Sequence, residues 1–388
     1  MRSVAILGGG VSGLTTGVLL QAMGYATTIY ARTRADRPGD ARPPRVASLY
    51  PAASVIPHTV AIDHVAAHLR VAQKFFAALC TDPSFGVRVQ DHYEVYEAPV
   101  ALPAYAEALR HLRAFPRDGR GLPEAPRRPG AAHIFGWAFR VFFAEAPVYV
   151  ARLGRLYQTL GGRVVPQDLT RASLDALPAD IMVNTLGAGA PQLFDDPAPL
   201  QLIRGVLVRV PPGTGRRCSY NYTPSPAQYR GADGAAGGLY FYPRGDAWLL
   251  GGTKTAAPWT PSGWSGPSLP PPTRIVDGLE VPAAVLDLNA TLVEQLTGHR
   301  VALHDARTTV GYRFHRTPLR LARDTWTDGR PVLHNYGHGG AGVTLSWSCA
   351  RQLAHWVDEL QPPSAEPPAH PWAQRLRTCT RRTSPVDA

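Results

Sequence analysis

The chain has 388 residues, 45% of them hydrophobic, enough for two domains with buried cores, and no apolar run reaches the roughly 18 residues of a membrane span. Its net charge of +11 comes from 40 basic residues scattered along the chain without a nucleic-acid-binding motif, which favours anionic small molecules over a polyanion partner. Cys80, Cys218, Cys349 and Cys379 have neither metal-type nor disulfide spacing and MRSVAILGGG lacks a cleavage pattern, so a reducing, cytoplasmic setting with no metal is expected.

Residues 3 to 32 read as strand, glycine turn, helix and second strand, a βαβ unit. Gly8, Gly10 and Gly13 fill G-x-G-x-x-G at the strand-to-helix turn, where the amides of Val11 and Ser12 and the helix dipole can hold a pyrophosphate. Such a turn also serves plain helix packing, but its βαβ setting points to a dinucleotide. The second strand ends Tyr30-Ala31-Arg32 instead of on an acidic residue, which leaves two readings: an NADP site, or FAD with its ribose held differently. Residues 33 to 45 and 116 to 130 are Pro- and Arg-rich loops, and 61 to 80 has the spacing of a core-facing helix.

Phe135 to Phe143 reads as a strand, Val148 to Leu160 as a helix opened by Pro147 and ended by Gly161-Gly162, and Arg163 to Val165 and Asp180 to Asn184 as strands. The last enters the turn Thr185-Leu186-Gly187-Ala188-Gly189. Gly238 to Thr255 reads as two strands joined by Pro-Arg-Gly-Asp, and residues 259 to 279 as a loop. In Leu333 to Ala350, LHNYGHGGAGVTLSWSCA, Gly337, Gly339, Gly340 and Gly342 precede a helix expected to begin near Thr344, so backbone amides can approach a flat or anionic ligand. The plainer alternative is a glycine turn before an ordinary C-terminal helix. After Leu360 the chain turns Pro-rich and basic, and 361–388 is expected to be a flexible tail without a peroxisomal ending.

The last glycine-rich stretch resembles the HxYGHGxxGxxxxWG segment of the D-amino-acid oxidase family, with His334, Tyr336, Gly337, His338, Gly339, Gly342, Thr344 and Trp347 in place and Ser348 where glycine is usual. Ala47-Ser48-Leu49-Tyr50-Pro51 is similar to the family's AAGLWxP, with Ser48 again replacing glycine. VNTLGAG is similar to its VNCTGxWA turn, GLYFYPRGDAWLLGG to its YIxP…LGG hairpin, and Gly311-Tyr312-Arg313 to its GxR element. The similarity spans roughly residues 1 to 360.

The resemblance implies an α/β protein: a Rossmann-type FAD-binding domain, discontinuous over 1–80, 145–200 and 300–360, and a mainly antiparallel-sheet substrate domain over 81–144 and 201–299. It implies FAD, favouring that reading at Arg32, with further contacts from Ser48, Leu49, Leu169, Gly187, Gly339, Gly340, Ala341, Gly342, Val343 and Thr344. It assigns Arg313 to the substrate carboxylate and Tyr240 to the same group or to gating. Lys254, one of only two lysines, follows Gly251-Gly252-Thr253 where D-aspartate oxidases carry a basic residue for a second carboxylate. A solvated strand end is the alternative there, and Arg230 is a weaker match to a second basic residue. The implied activity is oxidation of a D-amino acid, acidic by the D-aspartate oxidase match, with oxygen as acceptor. An amine or imino-acid oxidase of specialised metabolism is the rival. Expected partners are the substrate and oxygen, with neither nucleic acid nor membrane, and a homodimer is compatible.

Overall fold

The apolar run Ser3–Leu7 forms β1, Gly10 opens helix α1 (Val11–Ala22), and β2 (Ala26–Ala31) returns parallel to β1 with Leu7 opposite Tyr30. The computed structural model, a mixed α/β fold, describes residues 3–33, 47–49, 52–258 and 266–381. The expected loop over 33–45, Tyr50-Pro51 and the first part of the 259–279 loop fall wholly or mainly outside them. In chain order follow β3 (Ala52–Ser54), α2 (Val65–Leu79), β4 (Val87–Tyr96), β5 (Arg110–Ala114), β6 (Phe135–Glu145), α3 (Ala146–Thr159) and β7 (Arg163–Pro166). Then come α4 (Arg171–Asp175), β8 (Ile181–Asn184), α5 (Ala190–Leu193), β9 (Leu200–Val210), β10 (Cys218–Thr223), β11 (Leu239–Pro243), β12 (Trp248–Gly251) and β13 (Thr255–Pro258). The chain closes with β14 (Thr273–Val276), β15 (Leu279–Pro282), α6 (Ala283–Thr297), β16 (Arg307–Thr325), β17 (Pro331–His338), α7 (Gly342–Leu360) and α8 (Pro371–Thr380).

Two compact units divide these elements: residues 1–88, 146–201 and 313–388, and residues 89–145 and 202–312. In the first, parallel strands run in the order β17, β8, β1, β2, β7, with β16 antiparallel to β17. Leu7, Asn184 and His334 stand in one row across it. The turns after β1 and β8 and the end of β17 therefore leave the sheet on one edge, the carboxyl edge where open α/β sheets bind ligands. Val4 to Leu7 of β1 are buried, with α1 packed on the sheet and Ala5 and Leu7 joined to a cluster of Leu174, Leu177 and Trp326, as the near-continuous hydrophobic run demands.

In the second unit β4, β10, β11, β12 and β9 form one sheet, parallel between β4 and β10 and antiparallel from β10 to β9. Its strands alternate, as a half-buried sheet should. Tyr93, Val95, Tyr220, Tyr222, Phe241 and Leu250 go to a core closed by α6 through Val285, Leu286 and Leu292. The intervening residues, Gln90, His92, Glu94, Ser219, Asn221, Tyr240 and Tyr242, make the other face.

Three expectations need correction, the first being that residues 81–88 belong with the first unit, where Phe85 packs against Trp372. Residues 300–312 belong with the second unit, because Ala306 lies in its core with Val301 and Leu303 packed against it, and Thr308 Oγ1 donates to the Val276 carbonyl at 3.1 Å. The segment after Leu360 is not a flexible tail throughout: α8 buries Trp372, Ala373 and Leu376, Trp372 packs edge-on against Phe85 at 4.8 Å, and Arg377 donates to the Ala22 carbonyl at 2.9 Å. A Pro-rich composition hides this helix, whose His370 side chain caps the Trp372 amide at 3.1 Å with Pro371 at the first helical position.

Candidate active site

The glycines of the first turn are required by their surroundings. A Cβ on Gly13 would lie 2.0 Å from the Gly8 carbonyl oxygen, and one on Gly8, at φ +108°, 2.7 Å from the Thr185 carbonyl oxygen. Thr185 clasps the same turn, its hydroxyl donating to the Leu7 carbonyl at 2.8 Å. Among the described residues, a Cβ on Gly10 would meet only the Ser48 hydroxyl, at 3.4 Å. That end has no acidic residue in its first turn, and the Val11 amide donates to Ser48 Oγ at 3.0 Å. A glycine turn leading into a helix amino end without acidic residues suits a dinucleotide pyrophosphate.

Helix α7 presents a second such end, at Gly339, Gly340, Ala341 and Gly342, again without acidic residue or side-chain cap. Gly339 takes φ +58°, and Gly340 is exposed, with Thr59 Oγ1 the nearest atom to an added Cβ at 3.1 Å and Arg313 Cδ at 3.7 Å. Val343 is buried in the first turn, and the Thr344 hydroxyl anchors the helix on the Ile56 carbonyl at 3.0 Å. Trp347 is wholly buried, stacked on Phe75 at 4.8 Å and donating to the Tyr149 hydroxyl at 2.6 Å. Ser348, where the resemblance expects glycine, returns its hydroxyl to the Leu345 carbonyl at 3.0 Å, so the helix itself absorbs the substitution.

Three arginines of β16 divide sharply. Arg316 grips Asp196 through Nε at 2.7 Å and Nη2 at 3.1 Å, and Arg320 bonds Asp324 at 2.9 Å and the Tyr336 hydroxyl at 3.3 Å. The Tyr336 hydroxyl also donates to Asp196. Burial would raise the Asp196 carboxyl, but the Arg316 and Tyr336 hydrogen bonds outweigh it and bring the pKa down to about 2. Arg313, half-buried, has no hydrogen bond or ion pair among the described residues. Its guanidinium is the one of the three left for a ligand carboxylate.

The histidines of the signature stay neutral. His334 accepts from the Asn184 amide at 3.0 Å through Nδ1, and burial first, then the Arg320 charge, lowers its pKa to about 4. His338 is likewise lowered to about 4 by burial and His68. His334 thereby ties β17 to β8, whereas His338 Nε2 is buried without a hydrogen-bond partner among the described residues.

In the second unit, Tyr240 lies flat over Gly251. A Cβ there would fall 2.0 Å from Tyr240 Cζ and 2.3 Å from its hydroxyl, which explains the glycine of LGG. The Gly251 carbonyl is tied from the core side by Asn289 at 3.1 Å, and the Gly252 carbonyl by the Tyr229 hydroxyl at 3.0 Å. Lys254 is exposed just after β12, and Arg230 is exposed with its guanidinium on the Gly234 carbonyl at 3.0 Å.

The remaining expected positions are less informative. Arg32 is exposed and faces Asp168 at 3.5 Å, a weak surface pair that leaves neither reading of its role favoured. Leu49 is buried, Leu169 packs half-buried against the cluster of Ala5, Leu7 and Tyr30, and Gly187 takes φ +58° in the turn after β8. Ser12 gives its carbonyl to the Thr16 hydroxyl at 2.7 Å. The sequence reading passed over Asp196, Thr185 and the pair His92 and Glu94. Only the last left a signal, polar residues at alternate positions of a strand.

A cavity of about 520 Å³ lies at the amino ends of β1 and β2, lined by Ser3, Ala26 and Ser364 among others. That is the sheet edge opposite the glycine turn, so it is not the cofactor site. Among the described residues no helix is long and apolar enough to cross a membrane.

Comparison with known proteins agrees with this geometry. The family model described as FAD dependent oxidoreductase matches residues 3–356. A D-amino-acid oxidase of Rubrobacter xylanophilus is 30% identical over 353 residues, covering 90% of this chain and 94% of that protein. A D-aspartate oxidase of Homo sapiens is more distant, 24% identical over 371 residues, with 92% and 94% covered. Among solved structures, a glycine oxidase from Geobacillus kaustophilus superposes with a TM-score of 0.62 at 16% identity, covering 95% of this chain and 98% of that one.

Proposed function

Because the chain belongs to the FAD dependent oxidoreductase family and uses FAD as its cofactor, we propose that it oxidises the α-amino group of a D-amino acid, with oxygen as the final acceptor. The observation that carries this reading is Arg313, a half-buried guanidinium beside the glycine turn of α7 with no hydrogen bond or ion pair among the described residues. A planar fork of donors holds a carboxylate in two parallel hydrogen bonds and so fixes its orientation, which a lysine does not. Bound FAD supplies the chemistry by accepting a hydride from the substrate α-carbon.

The chain's own residues bind and orient. The Gly8, Gly10 and Gly13 turn with the Val11 and Ser12 amides would hold the pyrophosphate of FAD, and the amino end of α7 would hold its flavin. Asp196 neutralises Arg316 and so keeps Arg313 the freer cation of β16. Tyr240, on the polar sheet face of the second unit, is read as a substrate residue from the resemblance of its hairpin. No protein base is needed once the substrate amine is neutral, and a neighbouring cation disfavours its ammonium form.

The finer reading is a substrate with a second carboxylate, D-aspartate or D-glutamate. Support comes from the exposed Lys254, which follows Gly251 and has no ion pair among the described residues. A net gain of about 1.5 to 3 kcal/mol from such a contact favours D-aspartate over D-alanine by roughly ten- to a hundredfold in kcat/KM. Lys254→Met is then expected to remove that preference, and a wild type that prefers neutral D-amino acids ends the acidic reading. Turnover of an imino acid but of no D-amino acid in the same panel would favour the rival amine or imino-acid oxidase.

The decisive test is Arg313→Lys, read as hydrogen peroxide formed from a panel of D-amino acids. Losing a paired guanidinium costs about 3 to 5 kcal/mol, so kcat/KM should fall by roughly two to almost four orders of magnitude with FAD still bound. Near-normal turnover would remove Arg313 from the substrate site.

A further inference from the structure

The polar face of the second unit's sheet buries a histidine–glutamate pair among its tyrosines. The register sets His92 beside Ser219, Glu94 beside Asn221, and Asn221 beside Tyr240. His92 is 0% exposed and Glu94 1%, and their side chains meet at 3.1 Å between Nε2 and Oε1. Ser219 receives the Gln90 amide at 2.8 Å and lies 2.8 Å from His92 Nδ1, so the imidazole is held at both nitrogens.

From this pair a directed chain of hydrogen bonds runs outward. Asn221 Nδ2 donates to Glu94 Oε1 at 2.7 Å, which fixes which way the amide points and leaves Oδ1 as an acceptor. The Tyr242 hydroxyl donates to that Oδ1 at 2.8 Å. The Tyr242 ring lies near parallel to His92, 18° between planes at 6.3 Å, and stacks on Tyr240 at 5.1 Å. Tyr240 in turn has Gly251 beneath it.

Stability is a poor reason for such a pair. Burying two ionisable groups costs desolvation that well-packed apolar residues would avoid, so what the pair adds is one defined arrangement. We propose that Glu94 and His92 are positioning residues which, through Asn221 and Tyr242, fix the ring of Tyr240 and thereby set the affinity for the amino-acid substrate. This rests on the reading of Tyr240 as a substrate residue.

Glu94→Gln tests it with almost no change of shape. The glutamine Oε1 can still accept from Asn221 Nδ2, but the carboxylate that Asn221 and His92 share becomes a weaker neutral acceptor and Nε2 puts a donor where Oε2 received the Tyr96 hydroxyl, so the grip on Asn221 and through it on Tyr242 loosens. Measured on the FAD-loaded enzyme with its best substrate among D-alanine, D-aspartate and D-lysine, KM should rise about tenfold, the size of one lost hydrogen bond, with kcat within twofold and FAD content unchanged. Tyr242→Phe should give the same split and also serves if Glu94→Gln fails to fold. The double variant should be no worse than the more severe single one, because both cut one chain. Tyr240→Ala separates the two readings. If it raises KM while Glu94→Gln and Tyr242→Phe do not, the positioning role is wrong and Tyr240 keeps its place. If Tyr240→Ala leaves KM unchanged, the premise fails. Fully additive effects in the double variant would overturn the chain of contacts.

Discussion

Arg313, Arg316 and Arg320 are chemically identical, and only their partners tell them apart. The GxR motif singles out Arg313 in the sequence, but Asp196, which occupies Arg316, lies 120 positions away and nothing local announces it. Gly251 shows the converse. Its motif was legible, while its reason, the Tyr240 ring lying across it, needed the register of β11 on β12. Gly251→Ala should therefore displace that ring and raise KM for the substrate several-fold while leaving FAD binding intact. Gly13→Ala should do the reverse, since a Cβ 2.0 Å from the Gly8 carbonyl forces the cofactor turn apart. Flavin absorbance per protein and steady-state kinetics on the two variants check both, and loss of FAD from Gly251→Ala would contradict this division of roles.

Elements with a strong local period were legible to within a few residues. The helix expected over 148 to 160 is Ala146–Thr159, the strand expected over 135 to 143 is Phe135–Glu145, and the helix expected near Thr344 starts at Gly342. The 19-residue strand Arg307–Thr325 was not, because its arginines and threonines carry no apolar alternation and its pairing with β17 shifts register between His315 and Arg320. Helix α8 escaped because proline surrounds its three buried residues. Its packing gives it weight: Trp372→Ala removes an aromatic side chain that is 7% exposed, a change that typically costs about 3 kcal/mol or more. A thermal melt should show a drop of several degrees with kcat little altered. An unchanged melt would mean that α8 is not docked on this surface in solution.

Across the molecule, buried histidines set how the fold responds to acid. His68, His334 and His338 are each lowered by burial to about 4, so all three are neutral in the folded chain while an unfolded chain takes up protons near 6.5. Stability from these groups is complete above about 6.5 and is lost as the pH falls toward 4. Asp196, lowered to about 2, adds its own loss only below the ordinary carboxylate range. With FAD in excess, the melting temperature should be flat from pH 7.5 to 6.5 and decline steadily to 4.5. A rise over that interval would show that the histidines fold charged.

The basic residues of this chain are almost all arginine, and the two lysines differ in setting: Lys74 is half-buried in α2, while Lys254 is exposed beside the strand that carries Gly251. An amine-directed reagent therefore has few targets besides the α-amino group, and Lys254 is the more accessible of the two side chains. Acylation at alkaline pH, where lysine amines react as well as the α-amino group, then labels few sites without any mutation. It neutralises one charge and leaves the guanidinium of Arg313 untouched. A tryptic map that finds the acyl group on Lys254, set beside the ratio of D-aspartate to D-alanine turnover before and after labelling, would ask the specificity question of the unmutated sequence.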